Sequence, residues 1–192
     1  MTDAGRVIAG SARGIRLRAP GTGTRPFADR VKQTLFAILE PDLPGARVLD
    51  LFAGSGAAGI EALSRGAALA IFVEKDPGAA AVIEANLRAT SLAGPEAQVV
   101  RSDAVAALGR SPIAGSAFDI AIVDPPYAET DLLARTLDAL GAADAPLKPG
   151  ARVIAKHFWR DRPPDRIGLL ASERDRRFGE TALTFYRREE DR

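Results

Sequence analysis

From Ala46 onwards, short apolar runs alternate with stretches of helical spacing, and that rhythm constrains the fold more than anything else in the chain. Arg47–Leu51, Ala68–Val73, Gln98–Val100, Phe118–Val123 and Ala151–Ala155 read as strands. Between them, Ala57–Ser64, Gly78–Ala89, Asp103–Leu108 and Thr130–Leu140 read as helices. Strands that are apolar throughout and separated by helices build a parallel sheet covered on both faces, an α/β architecture. Upstream, Arg6–Gly10 and Ile15–Arg18 suggest a hairpin, and Asp29–Leu39 a helix stopped by Pro41 and Pro44. In the tail, strands are expected near Leu169–Ser172 and Thr181–Tyr186, after a loop over Arg160–Arg166. At 192 residues the chain suits an N-terminal hairpin and basic extension over 1–26, followed by one main domain over 27–192.

In sheets of this kind ligands bind beyond the carboxyl ends of the strands. Asp50, Glu74, Asp103 and Asp124 all fall at or just past expected strand ends. Four acids on one edge mark a site.

The run Asp50-Leu51-Phe52-Ala53-Gly54-Ser55-Gly56 closes the first of these strands with a glycine-rich turn that lets backbone approach a ligand. Gly59 follows three residues after Gly56, yet the motif opens on an acid. A pyrophosphate does not favour a carboxylate at its turn, whereas the amino group of a methionine moiety does. The turn therefore favours S-adenosylmethionine over a dinucleotide, with plain strand-to-helix punctuation as the alternative. Glu74, eighteen residues after Gly56, can accept from both hydroxyls of a ribose. Asp76 competes with it, although an acid beside Pro77 also suits a helix start. Asp103, followed by Ala104, can accept from an adenine amino group or cap a helix.

Asp124-Pro125-Pro126-Tyr127 ends the strand Phe118–Val123 in a stiff corner with few donors. Proline fixes φ and lacks an N–H, so nearby carbonyls stay free to accept. Acceptors beside an aromatic face suit a planar group that carries an NH2. A proline corner after a strand is the bland reading, and the glycine turn tips the balance towards chemistry. Asp124 and the Pro125 carbonyl would accept the amine hydrogens, and Tyr127 would stack on the base.

Charge is distributed unevenly. Residues 1–32 carry seven Lys/Arg and two acids, 33–151 eight and fifteen, and 152–192 eleven and eight. Basic ends around an acidic middle fit contact with a polyanion, or simply an uneven solvated surface. With no cysteine, disulfides and cysteine-ligated zinc are excluded, and a reducing cytoplasm is expected. The start, Met1-Thr2-Asp3-Ala4-Gly5-Arg6, lacks a signal-peptide layout, and no apolar run reaches the length of a membrane span. His157 has no evident second ligand or triad partner, so a packed or rim histidine and no metal site are expected. Trp159 could stack on RNA or seal a sheet edge.

With these motifs in place, the chain resembles the RsmD-type 16S ribosomal RNA guanine-N2 methyltransferases of bacteria. The resemblance spans about Arg6 to Arg187 and rests on five stretches. They are Arg6–Gly10 with Arg13-Gly14; Thr24-Arg25-Pro26 with Asp29–Lys32 and Leu35-Phe36; Val48–Gly56 continuing Gly59–Gly66; the Asp124–Tyr127 corner; and Phe178–Thr181 running on to Tyr186. It implies a Rossmann-like class I methyltransferase fold, with a seven-stranded, mostly parallel sheet whose last strand is antiparallel and an N-terminal β-hairpin that helps hold RNA. It implies S-adenosyl-L-methionine as donor and guanine 966 of 16S rRNA in the small subunit as target. Asp50, Phe52, Gly54, Ser55, Gly56, Glu74, Asp103 and Ala104 would line the donor site, and Asp124, Pro125 and Tyr127 would engage guanine. Arg6, Arg13, Arg25, Arg30 and Lys32 would face phosphates. A cytoplasmic monomer is expected, with no membrane contact and no protein partner beyond those of the ribosome. Phe27 and Ala28 replace family threonines, and Ile15 a commonly basic position.

Two other functions share these features. A DNA adenine-N6 or cytosine-N4 methyltransferase uses a similar corner but usually adds a target-recognition domain, for which this chain has no room. An RNA-binding assembly factor that had lost catalysis would not need an intact turn and corner.

Overall fold

A computed structural model describes residues 3–21, 28–127 and 129–190. They fall into two units, Met1–Asp103 and Ala104–Arg192. The first opens with the antiparallel strands β1 (Asp3–Arg6) and β2 (Arg16–Arg18). The first strand lies earlier than the expected Arg6–Gly10, for a physical reason. The amides of Ile8 and Ala9 donate to the Glu61 carboxylate at 2.7 and 3.0 Å and are not available to a ladder. Helix α1 (Asp29–Leu39) buries Val31, Leu35, Phe36 and Leu39 at helical spacing, and a single 3-10 turn over Glu40–Asp42 ends it.

Strand β3 (Arg47–Leu51), helix α2 (Ala57–Ser64), strand β4 (Leu69–Glu74), helix α3 (Pro77–Ala89) and strand β5 (Ala97–Arg101) complete the unit. β4 lies between β3 and β5 and runs parallel to both. Parallel neighbours need long crossovers, which α2 and α3 supply. Gly59 of α2 lies against Phe72 of β4. A Cβ there would sit 2.3 Å from the ring, so only glycine lets helix and strand pack this closely.

The hairpin is locked onto α2. Ser64 Oγ donates to the Ala9 carbonyl at 2.6 Å and accepts from the Ala12 amide at 2.9 Å. Gly10 has φ +84°, and a Cβ on it would meet the Ser64 carbonyl oxygen at 1.7 Å. The stretch Arg6–Gly14 and the run Glu61–Gly66 are thus two halves of one contact, and residues 3–18 belong with the first unit.

The second unit comprises helix α4 (Ala104–Leu108), strand β6 (Phe118–Val123), helix α5 (Thr130–Gly141), β7 (Leu147–Phe158), β8 (Arg166–Ile167), β9 (Leu170–Phe178) and β10 (Thr181–Arg188). Its strand order is β6-β7-β10-β9-β8. β6 and β7 are parallel, and β10 runs antiparallel to both β7 and β9, so β9 shares the direction of β7. The expected reversed last strand is therefore β10, and the two-residue β8 is an addition beyond β9. β7 is longer than expected because it continues through Lys156 and His157, which find partners across it, and β9 because β10 pairs with its exposed charged stretch. No helix among the described residues is long and apolar enough to cross a membrane.

Candidate active site

In the first unit, the parallel directions of β3, β4 and β5 put Asp50, Glu74 and Asp103 at one sheet edge. Beyond β3 the chain reverses through Phe52 (φ +65°), Gly54 (+56°) and Gly56 (+77°). The Ala53 amide donates to the Val73 carbonyl at 3.0 Å, and the Gly56 amide to the Ala53 carbonyl at 2.7 Å. At Gly56 a Cβ would press on Ile83 Cγ2 at 3.1 Å, in a conformation that already disfavours side chains.

Glu74 ends β4 and reaches back to this turn. One carboxylate oxygen accepts the Gly54 amide and the other the Asp76 amide, both at 2.9 Å. Asp76 itself caps α3, accepting from the Ala79 amide at 2.7 Å, with Pro77 in the first turn. The helix-start reading of Asp76 holds, and Glu74 is the acid presented at the turn. Asp50 needs correction as a ligand contact. It is only 2% exposed, and Oδ2 accepts the Gly59 amide at 2.9 Å, so it organises the turn from beneath. Asp103 is exposed directly before α4, and Ala104, which opens that helix, is buried.

Asn86 was not foreseen. It is buried in α3; its Nδ2 donates to the carbonyls of Ser55 and Arg18, and its Oδ1 accepts the Arg18 amide, all at 2.9 Å. One side chain thus ties the glycine turn to β2. A lone Asn within an otherwise apolar helix face was the available signal.

Among the basic residues, Arg6, Arg13 and Arg30 are exposed, with Arg6 Nε 3.4 Å from Asp29. Arg25 lies outside the described residues. Lys32 is a correction: its side chain is fully buried, Nζ donating to the Arg6 carbonyl and lying 3.8 Å from Glu61. Burial pushes its pKa down while Glu61 pulls it back up. A lysine so enclosed cannot face a phosphate. It holds the hairpin instead.

In the second unit, Asp124 follows β6 and Lys156 lies on the neighbouring β7, in the register that pairs Val123 with Ala155. Lys156 Nζ donates to both carboxylate oxygens of Asp124. The same ammonium stands 5.4 Å from the centre of the Tyr127 ring, and the Tyr127 hydroxyl shares a 2.7 Å hydrogen bond with Thr181 Oγ1 of β10. Pro125 is buried, Pro126 is exposed, and the Pro126 carbonyl accepts the Glu129 amide at 2.9 Å. Burial raises the Asp124 pKa above the usual carboxylate range, against the pull of Lys156.

Lys156, the partner of Asp124, was not foreseen from the sequence. A charged residue directly after an apolar strand run looked like the strand's end, and its position opposite Asp124 follows only from the register. His157, next along β7, is packed: Nδ1 donates to the Phe158 carbonyl at 2.7 Å and Nε2 meets Thr184 Oγ1 at 3.0 Å. Burial lowers its pKa.

Residues 5–187 match a protein family described as conserved hypothetical protein 95. YlbH of Bacillus subtilis, named for rRNA methyltransferase activity, is 39% identical over 184 residues, 95% of this chain and 98% of that protein. Ribosomal RNA small subunit methyltransferase D of Haemophilus influenzae is 37% identical over 169 residues, covering 86% of each chain. The solved structure of yhhF from Escherichia coli, described as a methyltransferase, superposes with a TM-score of 0.84 at 34% identity. It covers 96% of this chain and 97% of the other. The chain has the Rossmann-like methyltransferase fold.

Proposed function

The chain belongs to the RsmD family, and from that premise we propose that it transfers a methyl group from S-adenosyl-L-methionine to the exocyclic N2 of a guanine in 16S rRNA of the small ribosomal subunit. The observation that carries the reading is the Asp124 carboxylate gripped by Lys156 beside the Tyr127 ring.

The residues fit the donor. Each Glu74 oxygen has a lone pair beyond its amide bond and can take a ribose hydroxyl. The turn from Phe52 through Ser55 lets backbone lie close to a ligand, and Asp103 with the Ala104 amide can meet an adenine edge. When bound, the donor supplies a sulfonium methyl that is already activated towards displacement.

The chain's own groups do the rest. A guanine amino nitrogen is a poor nucleophile because its lone pair is delocalised into the ring. Asp124 and the Pro125 carbonyl accept its hydrogens and favour the geometry in which that lone pair is available. Tyr127, its hydroxyl anchored on Thr181, offers its ring to the base and fixes the direction of approach. Lys156 holds Asp124 in one orientation. The raised pKa suits Asp124 to receive the proton once the nitrogen becomes cationic. The target base must be unpaired or flipped out to reach these groups. Arg6, Arg13, Arg25 and Arg30 serve as phosphate contacts, and the enzyme acts as a cytoplasmic monomer.

The test is incubation with labelled donor and either small subunits or duplex DNA, followed by mapping of the modified nucleotide. Label on N2 of a guanine in the 16S RNA is expected. Label found only in DNA would reject the reading.

A further inference from the structure

In the second unit β6, β7 and β9 run in one direction, so their carboxyl ends share an edge. That edge carries Asp124–Tyr127 after β6, Phe158-Trp159-Arg160 at the end of β7, and Arg176-Arg177-Phe178 at the end of β9. The register gives Arg176 a direct link: it pairs with Leu183, which pairs with Lys156, so these three lie on one sheet face, while Arg177, paired through Ala182 with His157, lies on the other face at the same edge. Arg176 is thus two strand spacings, roughly 10 Å, from the lysine that grips Asp124.

The arginines here differ from those of the unit that sit in ion pairs. Elsewhere Arg152 and Arg187 pair with Glu173, Arg166 with Glu189, and Arg162 with Asp165 and Asp175. Arg160, Arg176 and Arg177 are exposed, and among the described residues no carboxylate pairs with any of them. Asp161, Asp175 and Glu180 are the acids nearest in sequence, and the Asp175 charge is taken up by Arg162 and the Thr184 hydroxyl.

Two of these cations sit on an aromatic plate. The Arg177 guanidinium lies 3.6 Å from the centre of the Trp159 ring and that of Arg160 4.9 Å from it. Arg177 Nε also donates to the Gly179 carbonyl at 2.9 Å. A guanidinium stacked on an indole and tied at Nε is fixed in orientation, with its terminal N–H groups left to meet a planar or tetrahedral anion. Cations held ready and unpaired are what a phosphate backbone selects.

We propose that Trp159, Arg160, Arg176 and Arg177 form a phosphate-binding platform for the single-stranded RNA segment flanking the base engaged at Asp124 and Tyr127. This rests on the reading of the substrate as RNA, and it places a strand contact in the second unit. Trp159 holds the guanidiniums of Arg160 and Arg177 in place, and the arginines bind the backbone without reading sequence.

The test measures binding of the full chain to a single-stranded, guanine-containing RNA oligonucleotide as a function of salt, with methyl transfer to small subunits followed in parallel. Three variants are compared: R160Q/R176Q/R177Q, W159L, and the exposed control R135Q on α5. The triple variant is expected to bind RNA about tenfold more weakly or worse, with the log–log salt slope shallower by about 2. W159L is expected to lose about threefold or more with the arginines intact. KM for RNA rises while kcat and the KM for the donor stay put, and R135Q matches wild type. An unchanged salt slope in the triple variant, or an equal loss in R135Q, overturns the platform. Binding is read without catalysis, so a wild-type protein that binds RNA here but methylates no RNA would sink the proposed activity and not the platform.

Discussion

Lys156 Nζ stands 2.7 Å from one carboxylate oxygen of Asp124 and 2.8 Å from the other, bridging the carboxyl end of β6 to the adjacent β7. The lysine side chain is only 8% exposed and the aspartate 20%. A pair held this way gives Asp124 one orientation and opposes the rise in pKa that burial causes.

Removing the ammonium should therefore change the pH dependence of the reaction as well as its rate. Asp124 works as an acceptor only when ionised, so activity should climb with pH along a limb set by its pKa. In the wild type that limb should lie above the ordinary range for an aspartate, because the shift is upward. Lys156→Met leaves a buried carboxylate without this partner. Its limb should move up by about one unit or more, with kcat on the plateau falling about tenfold. Lys156→Arg keeps the charge and should retain most of the wild-type profile. A pH–rate series on the three proteins decides. If the methionine variant keeps its limb in place, Lys156 has no hold on Asp124.

The two acids after β4 should separate cleanly. Glu74 presents its carboxylate at the glycine turn, whereas Asp76 spends its own on the Ala79 amide. Glu74→Gln should weaken donor binding by about tenfold, the scale expected when a charged acceptor becomes neutral. Asp76→Asn should leave donor affinity unaltered and cost a few tenths of a kcal/mol of stability, since Asn also caps helices. Titration calorimetry with the donor and a denaturant series provide the two readouts. Equal donor affinity in wild type and Glu74→Gln would remove Glu74 from the site.

Lys32 and Arg30 are close in sequence and opposite in role. Arg30 is exposed on the first turn of α1, while Lys32 is enclosed with Glu61 beneath the hairpin. Lys32→Ala strips a buried carboxylate of a nearby cation and should destabilise the protein by about 3 kcal/mol. Its salt slope for RNA should match wild type. Arg30→Gln should do the reverse, flattening the slope by about 0.7 with stability unchanged. A Lys32 variant that folds normally and binds RNA with a shallower slope would restore it as a phosphate contact.

The sequence made visible what depends on neighbours along the chain and concealed what depends on register. β3, α2 and β6 fall where the apolar periodicity put them, because an all-apolar run flanked by turn residues has few other solutions. β7 was cut short at Ala155 because Lys156 and His157 interrupt the apolar run; the strand continues because both find partners across it. β9, with Glu173–Arg177 exposed, reads as a loop by composition and is a strand only because β10 pairs with it. Asp50 and Lys32 show the converse error. Each was placed by residue type at a plausible ligand position, and burial assigned each a bond inside the protein. Glu61, which receives the hairpin amides, lies unmarked within the run Gly59–Gly66. Its task lies more than fifty residues away along the chain.

His157 offers a stability test that is independent of catalysis. Burial holds its pKa below the ordinary histidine value of 6.5, against the opposing effects of the Phe158 carbonyl and of Asp175 and Asp161; Arg162 adds to the lowering. Below 6.5 the unfolded chain takes a proton that the folded imidazole refuses, so the unfolded state binds more protons and stability rises with pH through that window. Asp124 contributes with the opposite sign. Its folded pKa lies above the ordinary 3.8, so the folded state binds the extra proton and stability falls as pH rises from there to the shifted value. Where the two windows overlap, the raw pH–stability curve mixes both effects. Subtraction removes the ambiguity: the wild-type curve minus that of His157→Gln retains the histidine and cancels Asp124. Denaturant midpoints taken from about pH 5 to about pH 7.5 should give a difference that climbs with pH and levels off once the unfolded histidine is neutral. A difference that is flat, or that falls as pH rises, would mean that His157 is not held neutral in the fold.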